Sequence, residues 1–356
     1  MALPAPRPSL QALRPYQAAG GFSPTHNLSA NESCLGASPL AIEAAAATAR
    51  MLERYPDGGC SALRQAISER YGLEADRIVC GAGSEELISL IVQAYAAPDD
   101  EVLFSQYGFI KYELAARAYG AVPVRGAEMD FTADVDALLG AVTPRTRIVF
   151  LANPNNPTGT YIGDAEVRRL RAGLREDIVL VVDAAYAEYV ICDDYRDGLD
   201  LARETPNTLS LRTFSKIHGL AGLRVGWGYG AAALIETLHK VRGAFNVGAV
   251  GQAAAAAAIA DTAHERRARE HNLHWLPWLS RQLEALGLDV IPSVCNFLVV
   301  RFRDANAFQA GIESLARHGV LATPLGGYGL PQALRITVGT AQANEAVVHA
   351  MKEALS

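Results

Sequence analysis

The 356-residue sequence is poor in cysteine, with five, at positions 34, 60, 80, 192 and 295. They are odd in number, far apart and never spaced C-x-x-C, so neither a disulfide framework nor a zinc cluster fits, and no metal site is expected. No apolar run reaches about 18 residues, so no membrane-spanning helix is expected. The first 24 residues scatter prolines among charges and lack the apolar central stretch of a secretory signal. Basic charge is not in excess either: 32 Lys plus Arg stand against 38 Asp plus Glu, a formal net charge of −6. That balance argues against nucleic acid or an anionic membrane as the main partner. A G-x-G-x-x-G between an early strand and helix is missing, which tells against a nicotinamide dehydrogenase. What is present is a chain half hydrophobic and one-fifth charged, able to bury a large core. The expectation is a cytoplasmic α/β protein.

Residues 1–30, rich in Pro, Gly and Ala, read as an extended arm. Short β-branched runs then alternate with helical stretches. Strands are expected at Ile78–Cys80, Glu101–Phe104, Val122–Val124, Arg147–Leu151, Ile178–Asp183, Thr208–Thr213 and Val225–Tyr229, with a helix over Glu85–Ala96 between the first two. Such alternation implies a mainly parallel seven-stranded sheet covered by helices on both faces. After residue 245 the six-alanine run and the charged stretch behind it read as one or two long helices. Runs at Val290–Ile291, Phe297–Phe302 and Leu334–Val338 suit a second, smaller α/β domain. The expected division is an N-terminal arm that joins the small domain (1–48), a large domain (49–245) and the rest of the small domain (246–356).

Four motifs carry chemistry. Thr213-Phe-Ser-Lys216, followed by Leu220-Ala-Gly-Leu-Arg224-Val-Gly226, sets a lysine beside two hydroxyls with an arginine eight residues on. That set suits an anchored phosphate near a reactive amine. Asp183 ends the wholly apolar run Ile178–Val182, where a carboxylate is costly unless partnered. Asn153-Pro-Asn-Asn156-Pro-Thr-Gly159 fixes a rigid loop that can aim an amide. Gly81-Ala-Gly83-Ser84 joins a strand to a helix, and its glycines let backbone N–H groups approach an anion. Taken singly, each also fits a surface loop, a helix cap or a turn. All four follow predicted strands, so they would converge on one edge of one sheet.

Together these strings resemble the fold-type-I pyridoxal-phosphate aminotransferases over nearly the whole chain, and most resemble the histidinol-phosphate aminotransferase branch. Pro15-Tyr16, Asn27-Leu-Ser-Ala-Asn31-Glu32, Arg54-Tyr55-Pro56 and the string from Gly327 to Gly339 carry the finer likeness. The resemblance implies that Lys216 carries the cofactor as a Schiff base and shuttles the proton, and that Asp183 pairs with the pyridinium nitrogen. It further implies that Asn156 and Tyr186 hydrogen-bond the ring's 3-oxygen and that Tyr107 stacks on the ring, although Ser105-Gln106 replaces the usual Pro-Thr before that aromatic. Thr213, Ser215, Arg224 and the backbone at Gly83-Ser84 would hold the phosphate. Tyr55 would reach it from the partner subunit, so a homodimer is implied. Arg335 would bind the substrate's anionic end, and Tyr16 and Asn31 would line the substrate pocket.

The implied reaction moves an amino group between glutamate/2-oxoglutarate and imidazole-acetol phosphate/histidinol phosphate, in histidine biosynthesis. One position departs from the branch: Thr323 stands where a second arginine is usual. Arg301, Arg303 or Arg242 would have to lie nearby to replace that charge. The departure keeps an aromatic amino acid or prephenate aminotransferase as the alternative, followed by a decarboxylase on the same scaffold. His271, His274 and the three tryptophans read as packing or surface residues. His218 lies close to the lysine in sequence.

Overall fold

The computed structural model describes residues 5–11, 13 and 22–356. Its large sheet contains β1 (Ile78–Gly81), β2 (Glu101–Ser105), β3 (Val122–Gly126), β4 (Thr146–Ala152), β5 (Val179–Asp183), β6 (Thr208–Thr213) and β7 (Gly226–Gly230). These are the seven expected strands, with no end moved by more than two residues. Their spatial order is β1-β7-β6-β5-β4-β2-β3. Every neighbouring pair is parallel except the two made by β7, which runs antiparallel to β1 and β6.

Helices α1 (Pro39–Thr48), α2 (Ser61–Tyr71), α3 (Ser84–Tyr95), α4 (Lys111–Tyr119), α5 (Asp164–Gly173), α6 (Ala232–Val241) and α7 (Ala249–Ala260) pack around this sheet. The apolar run in β5 is buried on both faces. Val179 and Val181 share a core with Leu87 and Ile91 of α3 and Tyr112 of α4. Leu180 and Val182 pack with Val167 and Leu170 of α5. The strand's two-residue period therefore turns Asp183 toward the α4 side. Ala41 of α1 and Ala254, Ala255 and Ala258 of α7 join the core of Ile78, Cys80 and Trp227. The six-alanine run thus supplies a packing face. By packing, α1 and α7 lie with the large sheet, whereas the expected division at residues 48 and 245 assigns both to the small domain.

The second sheet is antiparallel throughout, in the order β8 (Asp289–Ile291), β9 (Phe297–Arg301), β11 (Ala333–Thr337), β10 (Thr323–Pro324). Strand β10 has no sequence signal. It is two residues long and contains a proline, which an edge position tolerates because its missing N–H faces no neighbour. Helices α8 (Thr262–Ala285), α9 (Ala305–Arg317) and α10 (Ala341–Leu355) cover this sheet. His26–Asn27 pairs in parallel with Val320–Leu321, and Leu28 enters the small core. That pairing ties the N-terminal segment to the core beside the second sheet. No described helix is long and apolar enough to cross a membrane.

Candidate active site

The C-terminal ends of β1, β4, β5 and β6 open onto one edge of the large sheet, because all four run the same way. Gly226, the first residue of antiparallel β7, pairs with Gly81 on one side and Thr213 on the other. The loop into α3 and the loop after β6 are therefore neighbours across one strand. The packing there requires glycine: a Cβ on Gly226 would lie 2.3 Å from the Ser84 nitrogen. Gly83 caps α3 with φ +82°. A Cβ at Gly83 would fall 2.6 Å from Arg224 Nη2, so the guanidinium lies against bare backbone at the helix N-terminus.

Arg224 is itself left-handed, with φ 52°. Its Nη1 donates to Ser215 Oγ at 3.2 Å, and the Ser215 N–H donates to Thr213 Oγ1 at 3.1 Å. Gly83, Ser84, Thr213, Ser215 and Arg224 are thus gathered into one cradle. A guanidinium, a hydroxyl and the N-terminus of a helix facing one space favour a phosphate-like anion.

Asp183 is buried at the end of β5. The Tyr112 hydroxyl donates to its Oδ2 at 2.8 Å, while Oδ1 has no hydrogen-bond partner among the described residues. Burial pushes the carboxyl up to about 6, against the lowering effects of the Tyr112 hydroxyl, the Ala185 N–H and the Lys216 charge. An unpartnered carboxylate oxygen in such a place calls for a donor from outside the chain. Tyr112 is absent from the sequence-based site. Its one sequence signal is a phenol on the buried face of an amphipathic helix, where a hydroxyl needs a partner.

Lys216 Nζ donates to the Ala30 carbonyl at 2.9 Å and lies 5.7 Å from the Tyr186 ring centre. Burial, with Arg335 and Arg224 nearby, lowers its amine to about 7 despite the Glu32 carboxylate. A large share of the amine is then neutral near physiological pH, the form that can act as nucleophile or base. The Tyr186 hydroxyl accepts from Asn31 Nδ2 at 2.9 Å. Asn31 is buried with φ 54°, and its N–H donates to Thr337 Oγ1 at 3.0 Å. Arg335 reaches over from β11 and donates to Asn156 Oδ1 and, at 2.7 Å, to the Ser29 carbonyl. Its buried Nε has no partner among the described residues. Lys216, Tyr186, Asn31, Asn156 and Arg335 are in this way linked between the edge of the large sheet and strand β11.

Other expected residues sit less centrally. Tyr107 packs on Phe131 with ring centres 5.7 Å apart, and its carbonyl accepts from Asn155 Nδ2 at 3.3 Å. Asn155, not singled out from sequence, is buried, and its Oδ1 has no partner among the described residues. Tyr55 is 83% exposed, and its ring stacks on Phe245 at 4.7 Å. Tyr16 lies outside the described residues.

The cations considered as replacements at Thr323 are engaged elsewhere. Arg301 pairs with Asp289, Arg303 with Asp304, and Arg242 with the Gly58 carbonyl and Asn246. His271 bonds the Gly339 carbonyl, and His274 meets the edge of Trp275. His218 is buried, 3.8 Å from Glu188, and burial lowers its imidazole.

Residues 23–351 match the family model described as aminotransferase class I and II. The histidinol-phosphate aminotransferase of Paramagnetospirillum magneticum is 53% identical, with 99% of each chain covered. That of Maricaulis maris is 49% identical, with 97% of each covered. The crystal structure of histidinol-phosphate aminotransferase from Sinorhizobium meliloti in complex with pyridoxal-5'-phosphate superposes with a TM-score of 0.91 at 27% identity, over 99% of this chain and 98% of that one.

Proposed function

The chain belongs to the class I and II aminotransferases, and we propose that it uses pyridoxal phosphate to move an amino group from glutamate to imidazole-acetol phosphate, giving histidinol phosphate and 2-oxoglutarate. One observation carries the cofactor assignment. A buried carboxylate with one unpartnered oxygen, a lysine lowered to about 7 and an arginine-lined anion cradle lie around the same sheet edge. These residues fit the group: Asp183 Oδ1 lacks a donor among the described residues, which a protonated ring nitrogen would supply, and the bare backbone at Gly83 and Gly226 would let a phosphate come close. Bound there, pyridoxal phosphate supplies an electron sink for negative charge at the substrate's α-carbon.

The chain's residues divide the remaining work. Lys216 holds the cofactor and, when freed by substrate, takes the proton from the α-carbon with its Nζ. Asp183 keeps the ring nitrogen protonated. Asn156 and Tyr186 fix the ring's 3-oxygen, while Thr213, Ser215, Arg224 and the Gly83–Ser84 backbone hold the phosphate. Arg335 receives the glutamate carboxylate and the substrate phosphate in turn, beside Asn31. Tyr107 would stack on the ring. Tyr55 acts from a second copy of the chain, and its exposure within one chain is consistent with that use.

Support for the phosphorylated substrate comes from the names of the relatives at 53% and 49% identity. The aromatic and decarboxylase alternatives find no such support. The test is a half-reaction screen of the cofactor-loaded protein against glutamate, histidinol phosphate, phenylalanine and tyrosine. Glutamate and histidinol phosphate should change the cofactor spectrum at the lowest concentrations. A response to the aromatic amino acids alone, or carbon dioxide release without an amino acceptor, would overturn the reading.

A further inference from the structure

We infer that Tyr112 is a positioning residue for Asp183: its hydroxyl holds the carboxylate in one orientation and reserves Oδ1 for the ring nitrogen of the cofactor. The inference rests on the cofactor reading above and adds a residue to it.

Tyr112 sits in the first turn of α4 and is fully buried. Its ring lies flat on Phe150 of β4, with centres 4.6 Å apart and planes 4° from parallel. Phe109 meets it edge-on at 5.9 Å, and Phe104 of β2 stands 6.0 Å away. Three aromatic neighbours leave the ring one orientation, so the hydroxyl is placed by packing before any ligand arrives. Packing alone does not explain the hydroxyl. A phenylalanine would fill the same slot, whereas a buried hydroxyl costs free energy unless it is hydrogen-bonded. Its partner is Asp183 Oδ2, at 2.8 Å.

Burial and the adjoining carboxylate both push the phenol well above its ordinary range, so it stays protonated and donates. A donor to the ionised form favours that form. With Oδ2 occupied, Oδ1 is the oxygen left to accept from the ring nitrogen. The other charged or titratable groups facing the pair are Lys216 after β6, Tyr186 after β5 and Tyr328 ahead of β11.

Pyridoxamine phosphate is a suitable probe, because it carries the same ring nitrogen and phosphate but does not attach to Lys216. Its dissociation constant would be measured from pH 5 to 8.5 for wild type, Tyr112→Phe, Asp183→Asn and the double variant. Tyr112→Phe should bind about tenfold more weakly at pH 7, the weight of one hydrogen bond to a charged group. The pH at which affinity falls away should also move upward by about one unit, because the carboxyl loses a donor that favours its ionised form. In the Asp183→Asn background, Tyr112→Phe should change affinity less than twofold, because the charge it serves is gone. A similar loss in both backgrounds would mark Tyr112 as merely structural and overturn the inference, as would unchanged affinity and pH dependence in the single variant. If Tyr112→Phe fails to fold, 3-fluorotyrosine in its place, a stronger donor, should move the midpoint downward, and no movement would overturn the inference. Wild type that binds no pyridoxamine phosphate would instead sink the cofactor reading, and this inference with it.

Discussion

Arg335 and Thr323 face each other across the β11–β10 ladder and donate to the same acceptor, the Ser29 carbonyl, at 2.7 and 2.6 Å. The threonine hydroxyl is therefore already engaged with the N-terminal segment. Among the described residues no second guanidinium is seen beside Arg335, and its Nε has no partner. Thr323→Arg would set a second guanidinium beside the first. Up to about a tenfold gain in kcat/KM for histidinol phosphate is expected, through a lower KM, at the strength of one charge-assisted hydrogen bond. Phenylalanine should gain little. Steady-state kinetics with both substrates checks this, and equal gains for both would contradict it.

The amine of Lys216, lowered to about 7, gives cofactor-free protein a pH-dependent stability. Below pH 7 the lysine is charged in folded and unfolded chains alike, and the cost of holding that charge in the cleft is fully present. Between about 7 and the ordinary lysine value near 10.4 the folded chain binds fewer protons than the unfolded one, so stability rises with pH. Lys216→Met should therefore raise the melting temperature of cofactor-free protein at pH 6, with a smaller gain at pH 9.5. Thermal scans at the two pH values measure it, and a gain that does not shrink at the higher pH would contradict it.

Beneath the lysine loop, Arg212 of β6 is buried between Glu188 and Asp197, its Nη2 2.7 Å from Glu188 Oε1. Removing one member of a buried ion pair strands the other, at a cost of about 3–5 kcal/mol. Arg212→Leu should lose that much in urea denaturation. Arg317→Ala, which breaks an exposed pair with Glu353 at 2.7 Å, should lose less than about 1 kcal/mol. Equal losses would show that the buried network contributes nothing special.

Tyr55 offers a test of a site shared between chains. Lys216→Ala and Tyr55→Ala proteins should each be nearly inactive, and mixing them under subunit exchange should restore activity, since one site per heterodimer keeps both residues. No recovery after exchange has been verified would assign Tyr55 to its own chain's surface.

The sequence was most legible where pattern and chemistry coincide. The apolar run before Asp183 marks a two-faced strand, and the motifs holding Lys216, Arg224, Asn156 and Gly83 each follow a strand. Parallel strands bring such residues to one edge, so their convergence could be anticipated. Tyr112 was hidden because its partner lies 71 residues away and its ring looks like ordinary core. Strand β10 was hidden because two residues carry no period, and only pairing with β11 defines it. The alanine-rich α7 has no polar face to read, so nothing in its sequence says which sheet it covers.

The most direct measurement is the location of the cofactor's attachment. The chain has four lysines, at 111, 216, 240 and 352, which makes the result unambiguous. Lys111 and Lys240 are ion-paired with Glu85 and Glu236, and Lys352 lies on the last helix. Protein loaded with pyridoxal phosphate would be reduced with borohydride, digested, and mapped by mass spectrometry. One pyridoxyl group per chain on the peptide containing Lys216 is the predicted result. Labelling at another lysine, or spread over several, would contradict the site built around Lys216, Asp183 and Arg224.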